Sequence, residues 1–182
     1  MEILLNARNS FDPNCVNKFG NTPLMEAALA YGQNESKLVS ILNLHAKLGN
    51  TRFSLQKMLS HTNAMNKNFL NILAIRNFSG ILSNILVTSS TETRNEYLSR
   101  VDNNGWNLFT EAVFNSSYNV VKFMIDENYV KEEWVRFESK NYGSLIKMAE
   151  KCMEERKPNS KVLLILIREL FKKYNIEEKL YK

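Results

Sequence analysis

Histidine, cysteine and paired carboxylates are the side chains that carry hydrolytic, nucleophilic and metal-assisted chemistry, and this sequence spaces them poorly for all three. His45 and His61 are the two histidines, and neither has a cysteine or carboxylate at a metal-ligand interval. Cys15 and Cys152 are too far apart to build a disulfide framework and read as reduced, partly buried thiols. A Cys152–His61 couple would need a tertiary placement that nothing in the sequence demands. The pairs Glu132-Glu133, Glu154-Glu155 and Glu177-Glu178 are adjacent. On a helix, neighbours diverge by about 100°, so each pair reads as a solvated face rather than a shared acid/base site. Gly20, Gly32, Gly49, Gly80, Gly105 and Gly143 stand singly, which leaves no phosphate-cradling loop. The expectation is a chain that is not an enzyme, holds no metal and needs no cofactor.

What the chain does space regularly is turns and helix starts. In residues 17–28, NKFGNTPLMEAA, Gly20 allows the positive φ of a tight hairpin and Thr22 can cap a helix. Pro23 falls at the first helical position, where a missing N–H costs nothing, and Ala27 and Ala28 admit a close helix neighbour. The frame recurs at 102–113, followed by 119–125 with apolar residues at i, i+3 and i+4. A weaker copy runs over 68–77 and 80–86, and a faint one over 145–149 with 162–167 as its second helix. Ile3-Leu4-Leu5 and Phe11-Asp12-Pro13-Asn14 read as the close of a preceding unit. No segment sustains apolar–polar alternation, so strands are not expected. Antiparallel helix pairs should start near Pro23, Leu70, Leu108 and Leu145. Ala28 and Ala112 should be buried between helices.

These residues resemble the opening of an ankyrin repeat, Asp-x-x-Gly-x-Thr-Pro-Leu-His-x-Ala-Ala, with Asn17 in place of the Asp and Met25 in place of the His. The resemblance covers most of the chain and implies an all-α fold, an α-solenoid of stacked ankyrin-like helix-turn-helix repeats. It divides a single domain, 1–182, into a partial repeat 1–16, repeats near 17–62, 63–101 and 102–137, and a degenerate capping repeat 138–182. The anchors Leu24, Leu70, Phe109 and Leu145 are spaced by 46, 39 and 36 residues, against about 33 for regular units. The surplus must form loops or added turns. One insertion lies between 42 and 65: 44–48 prolongs a helix and 53–59 begins another, with Asn50-Thr51 as a cap. A second, Glu150 to Ser160, carries Pro158 and reads as a mobile loop. Trp134, in an interval the family pattern does not explain, reads as core.

The resemblance further implies recognition across the fingers and inner helices. The finger positions are Lys18, Phe19 and Asn21, then Met65 and Lys67, then Asn103, Asn104 and Trp106. In the fourth unit they are Lys140 and Tyr142, where no glycine sits at the turn. Inner-helix positions are Ile75, Arg76, Phe114 and Asn115. Phe19, Trp106 and Tyr142 would project from three fingers along one edge, with the aromatic weight that dominates binding hot spots. In the opposing reading, Trp106 and Phe19 fold back as packing.

Of the net charge of +5, +4 lies in residues 147–182, where ten Lys or Arg face six Asp or Glu. The signs are interleaved, which favours a solvated end cap over an anionic membrane surface as partner. No zinc, RRM or helix-turn-helix signature supports nucleic-acid binding. The first residues form neither a basic nor an apolar signal region, and the longest apolar run near the end, 162–167, falls far short of a membrane span. Asn34, Asn77 and Asn115 begin glycosylation triplets that read as incidental. The expected partner is another protein, bound by a monomeric, cytoplasmic interaction module. High Asn and Lys usage resembles that of chains from AT-rich genomes. Ankyrin arrays of that kind are frequent in intracellular bacteria and protists, where they often act as secreted effectors on host proteins. This implies an effector of an intracellular bacterium in the host cytoplasm. The alternative is a substrate-recruiting portion of a larger enzyme whose catalytic domain lies outside this chain.

Overall fold

A computed structural model describes residues 15–30, 34–47 and 55–177, and these are mostly helical. The helices are α1 (Pro23–Ala30), α2 (Glu35–Lys47), α3 (Leu55–Ser60), α4 (Phe69–Ile75), α5 (Ser79–Thr88) and α6 (Thr91–Ser99). They continue as α7 (Leu108–Phe114), α8 (Tyr118–Asp126), α9 (Glu132–Val135), α10 (Leu145–Glu154) and α11 (Ser160–Lys173). Among the described residues the single departure from an all-helical chain is an antiparallel pair, β1 (Glu138–Ser139) with β2 (Gly143–Ser144). Ile3-Leu4-Leu5, Phe11-Asp12-Pro13-Asn14 and the Asn50-Thr51 cap lie outside the described residues, as does the side chain of His45.

The four first-layer helix starts share one device, a short polar side chain that accepts from a backbone N–H three residues on. Thr22 Oγ1 accepts from Met25, Asn68 Oδ1 from Asn71, Asn107 Oδ1 from Thr110 and Ser144 Oγ from Lys147. Asn71 returns the favour to the Asn68 N–H, closing a capping box. Each such cap contributes about 1 kcal/mol. The helices therefore begin at Pro23, Phe69, Leu108 and Leu145. The residue equivalent to Leu24, Leu70 and Phe109 is then Ile146, which corrects the Leu145 anchor by one position.

Packing follows sequence order. α1, α4, α7 and α10 touch successively, and α2, α5, α8 and α11 do the same in a second layer. One continuous core runs between the layers, filled by Leu70, Leu73, Phe109, Leu108 and Leu145. Ala28 and Ala112 are fully buried in it, where the lack of a larger side chain lets neighbouring helices approach.

The surplus residues become third helices. α3 packs on α4 and α6 on α7, while α9 buries Trp134. Glu150 to Ser160 is not a loose loop. Its first half completes α10, and its remainder is tied down, with the Ser116 hydroxyl donating to Pro158 O and Lys157 Nζ to Phe114 O.

Helix ends are closed by residues in the left-handed region at Asn77, Ser116, Asn128, Arg156 and Asn175. At Asn77 the Phe78 N–H donates to Leu73 O and the Asn77 N–H to Ala74 O, and the other four repeat the pattern. Asparagine tolerates this backbone better than most side chains, which gives the Asn-rich composition a structural use. Two of the second-layer helices, α5 and α8, borrow caps. Phe78 and Ser117 supply no side-chain cap to α5 and α8. Instead Glu35 Oε1 accepts from Ile81 N at 2.6 Å, and Asn77 Oδ1 accepts from Asn119 N at 2.9 Å and Val120 N at 3.2 Å. Each donor helix is capped from the preceding unit.

Candidate partner-binding face

Three hairpins precede α1, α4 and α7, and each is built on one clamp. Asn17 Oδ1 accepts from Phe19 N and Asn21 N, Asn63 Oδ1 from Met65 N and Lys67 N, and Asp102 Oδ1 from Asn104 N and Trp106 N, all at 2.8–3.0 Å. The sharp turn falls at Gly20, Asn66 and Gly105, with φ of 75°, 59° and 75°. Neighbouring hairpins are laced by their backbones: Ala64 N donates to Phe19 O and Asn103 N to Met65 O. Side chains add to this, with Asn63 Nδ2 donating to Asn21 Oδ1 and Asn66 Nδ2 to Val101 O. His61 Nε2 lies 2.8 Å from Gly20 O, which requires its proton on that nitrogen.

The laced edge carries exposed apolar side chains. Phe19 is 57% exposed and Met65 46%, at equivalent hairpin positions, with Val16 and Val101 exposed beside them. Lys18 Nζ stands 5.0 Å from the Phe19 ring centroid. Asn103, Asn104 and Lys140 are also exposed.

One register rule corrects three of the expected contact residues. The residue after the sharp turn points inward in every clamped hairpin, so Asn21, Lys67 and Trp106 all leave the surface. Asn21 is buried and donates to Glu26 Oε1. The Lys67 ammonium is bound to Glu111 at 2.8 Å and Asp102 at 3.5 Å. Trp106 is only 4% exposed, with its ring centroid 4.6 Å from Phe114 and 5.5 Å from Tyr142. It does not project from its finger. Phe114 and Tyr142 are half-buried and meet each other at 4.6 Å. Trp106 Nε1 has no hydrogen-bond partner and is enclosed by this packing.

Burial pushes the Glu111 carboxyl above its ordinary range, and the Lys67 ammonium opposes that rise. Asn115 Nδ2 donates to Glu111 Oε1 at 3.0 Å. The fourth hairpin differs from the other three. Ser139 Oγ replaces the Asn or Asp clamp, accepting from Asn141 N at 3.4 Å, and Gly143 takes the left-handed conformation at φ 70°. A glycine therefore does sit in this turn, one residue later than in the others.

Two cations that no sequence motif marks stand against the aromatic trio, Lys151 Nζ at 4.5 Å from the Tyr142 ring and Lys157 Nζ at 4.8 Å from Phe114. Only tertiary placement reveals them, since both lie on or just after α10 with no motif around them. The buried Cys152 thiol lies 3.0 Å from Phe114 O, and burial raises its pKa. Cys15 is exposed, against the expectation that both thiols are partly buried. Below Phe114, a cleft of about 420 Å³ opens where the α4–α5, α7–α8 and α10–α11 connections meet. Ile75, Arg76 and Asn115 line it, joined by Asn77, Asn119 and Lys157.

No helix among the described residues is long and apolar enough to cross a membrane. No protein-family model matches the chain, and no curated protein matches it. In shape it is similar to a chain in the crystal structure of the yeast ribosomal protein Rps3 in complex with its chaperone Yar1. The TM-score is 0.58 at 19% identity, covering 86% of this chain and 93% of that one. At that identity the likeness concerns the fold alone.

Proposed function

We propose that the chain is a divergent ankyrin-type solenoid whose work is to bind a partner protein. Support for the array comes from the thrice-repeated clamp, sharp turn and cap, and from helix pairs packed in sequence order. Support for binding comes from one observation: the laced hairpin tips hold Phe19 and Met65 outward at equivalent positions, beside Val16 and Val101. Large apolar side chains on a rigid backbone lose little entropy on burial, which favours them as anchors. The contact surface combines Lys18, Phe19, Met65, Asn103, Asn104 and Lys140 at the tips with Ile75, Arg76, Phe114, Asn115 and Tyr142 below. Asn21, Lys67 and Trp106 lie beneath and hold it in place. The Asn- and Lys-rich composition suits an effector of an intracellular bacterium, with a host protein as the partner.

The test uses the full chain as bait, followed by the double variant Phe19→Ser, Met65→Ser. Its melting temperature should match the parent, because both residues are exposed. Affinity for the captured partner should fall by tenfold or more, about 1.4 kcal/mol. Unchanged affinity rejects the fingertips as the binding edge.

A further inference from the structure

We propose that the cleft below Phe114 receives an acidic, extended segment of the partner, with a carboxylate seated against Arg76 and Lys157. This rests on the protein-binding reading and adds the chemistry of what is bound. Among the described residues that line the cleft, Arg76 and Lys157 are cationic and none is a carboxylate. Ile75 and Pro158 are the apolar members, and amides and hydroxyls supply the rest. The size is that of a cleft taking a few side chains rather than a whole helix.

The two inner amides are locked in opposite senses. Asn77 Oδ1 is committed to the N–H groups of Asn119 and Val120, so its Nδ2 is the end that can donate. Asn115 Nδ2 is committed to Glu111 O and Oε1, so its Oδ1 is the end that can accept. A peptide group offers the complementary acceptor and donor, one C=O and one N–H. Lys157 is anchored by Phe114 O at 2.9 Å, which holds its charge at the cleft wall. Among the described residues its carboxylate partner is Glu155 at 3.1 Å, which is exposed, does not line the cleft and would compete with an incoming carboxylate for the ammonium.

A fluorescein-labelled peptide alternating Glu and Gly, and its Gln-for-Glu counterpart, serve as probes in anisotropy titrations of the full chain. The Glu peptide should bind about tenfold more tightly than the Gln peptide at low salt. Lys157→Gln should weaken it about fivefold, and Asn119→Asp should weaken it similarly by placing a charge at the rim. Glu155→Gln should strengthen it. Phe19→Ser with Met65→Ser should leave it unchanged, which separates the cleft from the fingertips. Equal affinity for the two peptides overturns the inference. So does a Glu preference that survives Lys157→Gln but is lost in Lys172→Gln with Lys173→Gln, because binding would then belong to the charged surface of α11.

Discussion

The second and third hairpins are joined quite differently from the third and fourth. The former pair is laced by Asn103 N to Met65 O and by side-chain amides that reach across. Among the described residues no backbone hydrogen bond links the third hairpin to the fourth, and the rings of Trp106, Phe114 and Tyr142 fill the space instead. Lacing depends on backbone shape and so tolerates varied side chains at the tips. An aromatic seam depends on volume, so each ring is individually costly to lose. One stack can therefore be plastic at one end of its edge and strict at the other.

Trp106→Ala probes the strict seam most directly. Emptying an enclosed ring site should cost about 3–5 kcal/mol in urea or thermal unfolding. A loss below about 1 kcal/mol would show that the rings only lie beside one another, and would break the contrast. The glycines sharpen it. Gly20 and Gly105 share φ 75°, but a Cβ on Gly20 would stand 2.9 Å from Ala64 N, whereas the nearest atom to one on Gly105 is Phe137 Cε2 at 4.0 Å. Both Gly→Ala changes incur the left-handed penalty of about 1–2 kcal/mol. Gly20→Ala should cost roughly a further 1–2 kcal/mol, because it wedges the lacing apart. Equal melting temperatures for the two variants would place the hairpins at equal spacing. A gain is expected outside both seams. Arg156, exposed at φ 53°, should yield about 0.5–1 kcal/mol on replacement by Gly, read as a raised melting temperature.

The smallest effect expected is in pH dependence, at the Lys67–Glu111 contact between the second and third units. Burial raises the Glu111 pKa above its ordinary 4.5, so at pH values between the unfolded and folded pKa the folded chain binds more proton there than the unfolded chain. The associated stabilisation is complete below the unfolded value and is lost as pH rises through the folded one. Glu111→Gln should remove that decline, seen as a flatter stability profile than the parent over the same interval. Identical profiles would mean that Lys67 cancels the burial.

Helix starts were legible because caps and turns are local chemistry. Thr22-Pro23 and Asn107 announce them, and Asn66 stands in for glycine where the motif weakens. The fourth hairpin was harder to read, since Ser139 and a displaced Gly143 perform the same task with other residues. α6 carries no clear apolar signal. Its sequence, TETRNEYLS, buries only Tyr97 and Leu98, too few for a periodic stripe. Within the candidate site, exposed tips could be read from hairpin geometry, but the inward turn of Trp106 depends on two rings from different elements, Phe114 of the same unit and Tyr142 of the next. The cleft was invisible for the same reason, since it exists only where three connections converge.

The borrowed caps give the stack a direction. The α5 amides rest on Glu35 and the α8 amides on Asn77, both from earlier in the chain. During synthesis, the acceptor for each of these helices is already in place when its first turn leaves the ribosome. Nucleation of that turn, the unfavourable step in forming any short helix, is then templated by what came before. Losing the leading unit exposes the amides of α5, whereas losing the trailing unit leaves the N-terminal caps of α5 and α8 intact and frees the Phe114 carbonyl that Lys157 and Cys152 reach. Such a chain should tolerate truncation from its C-terminal end better than from its N-terminal end.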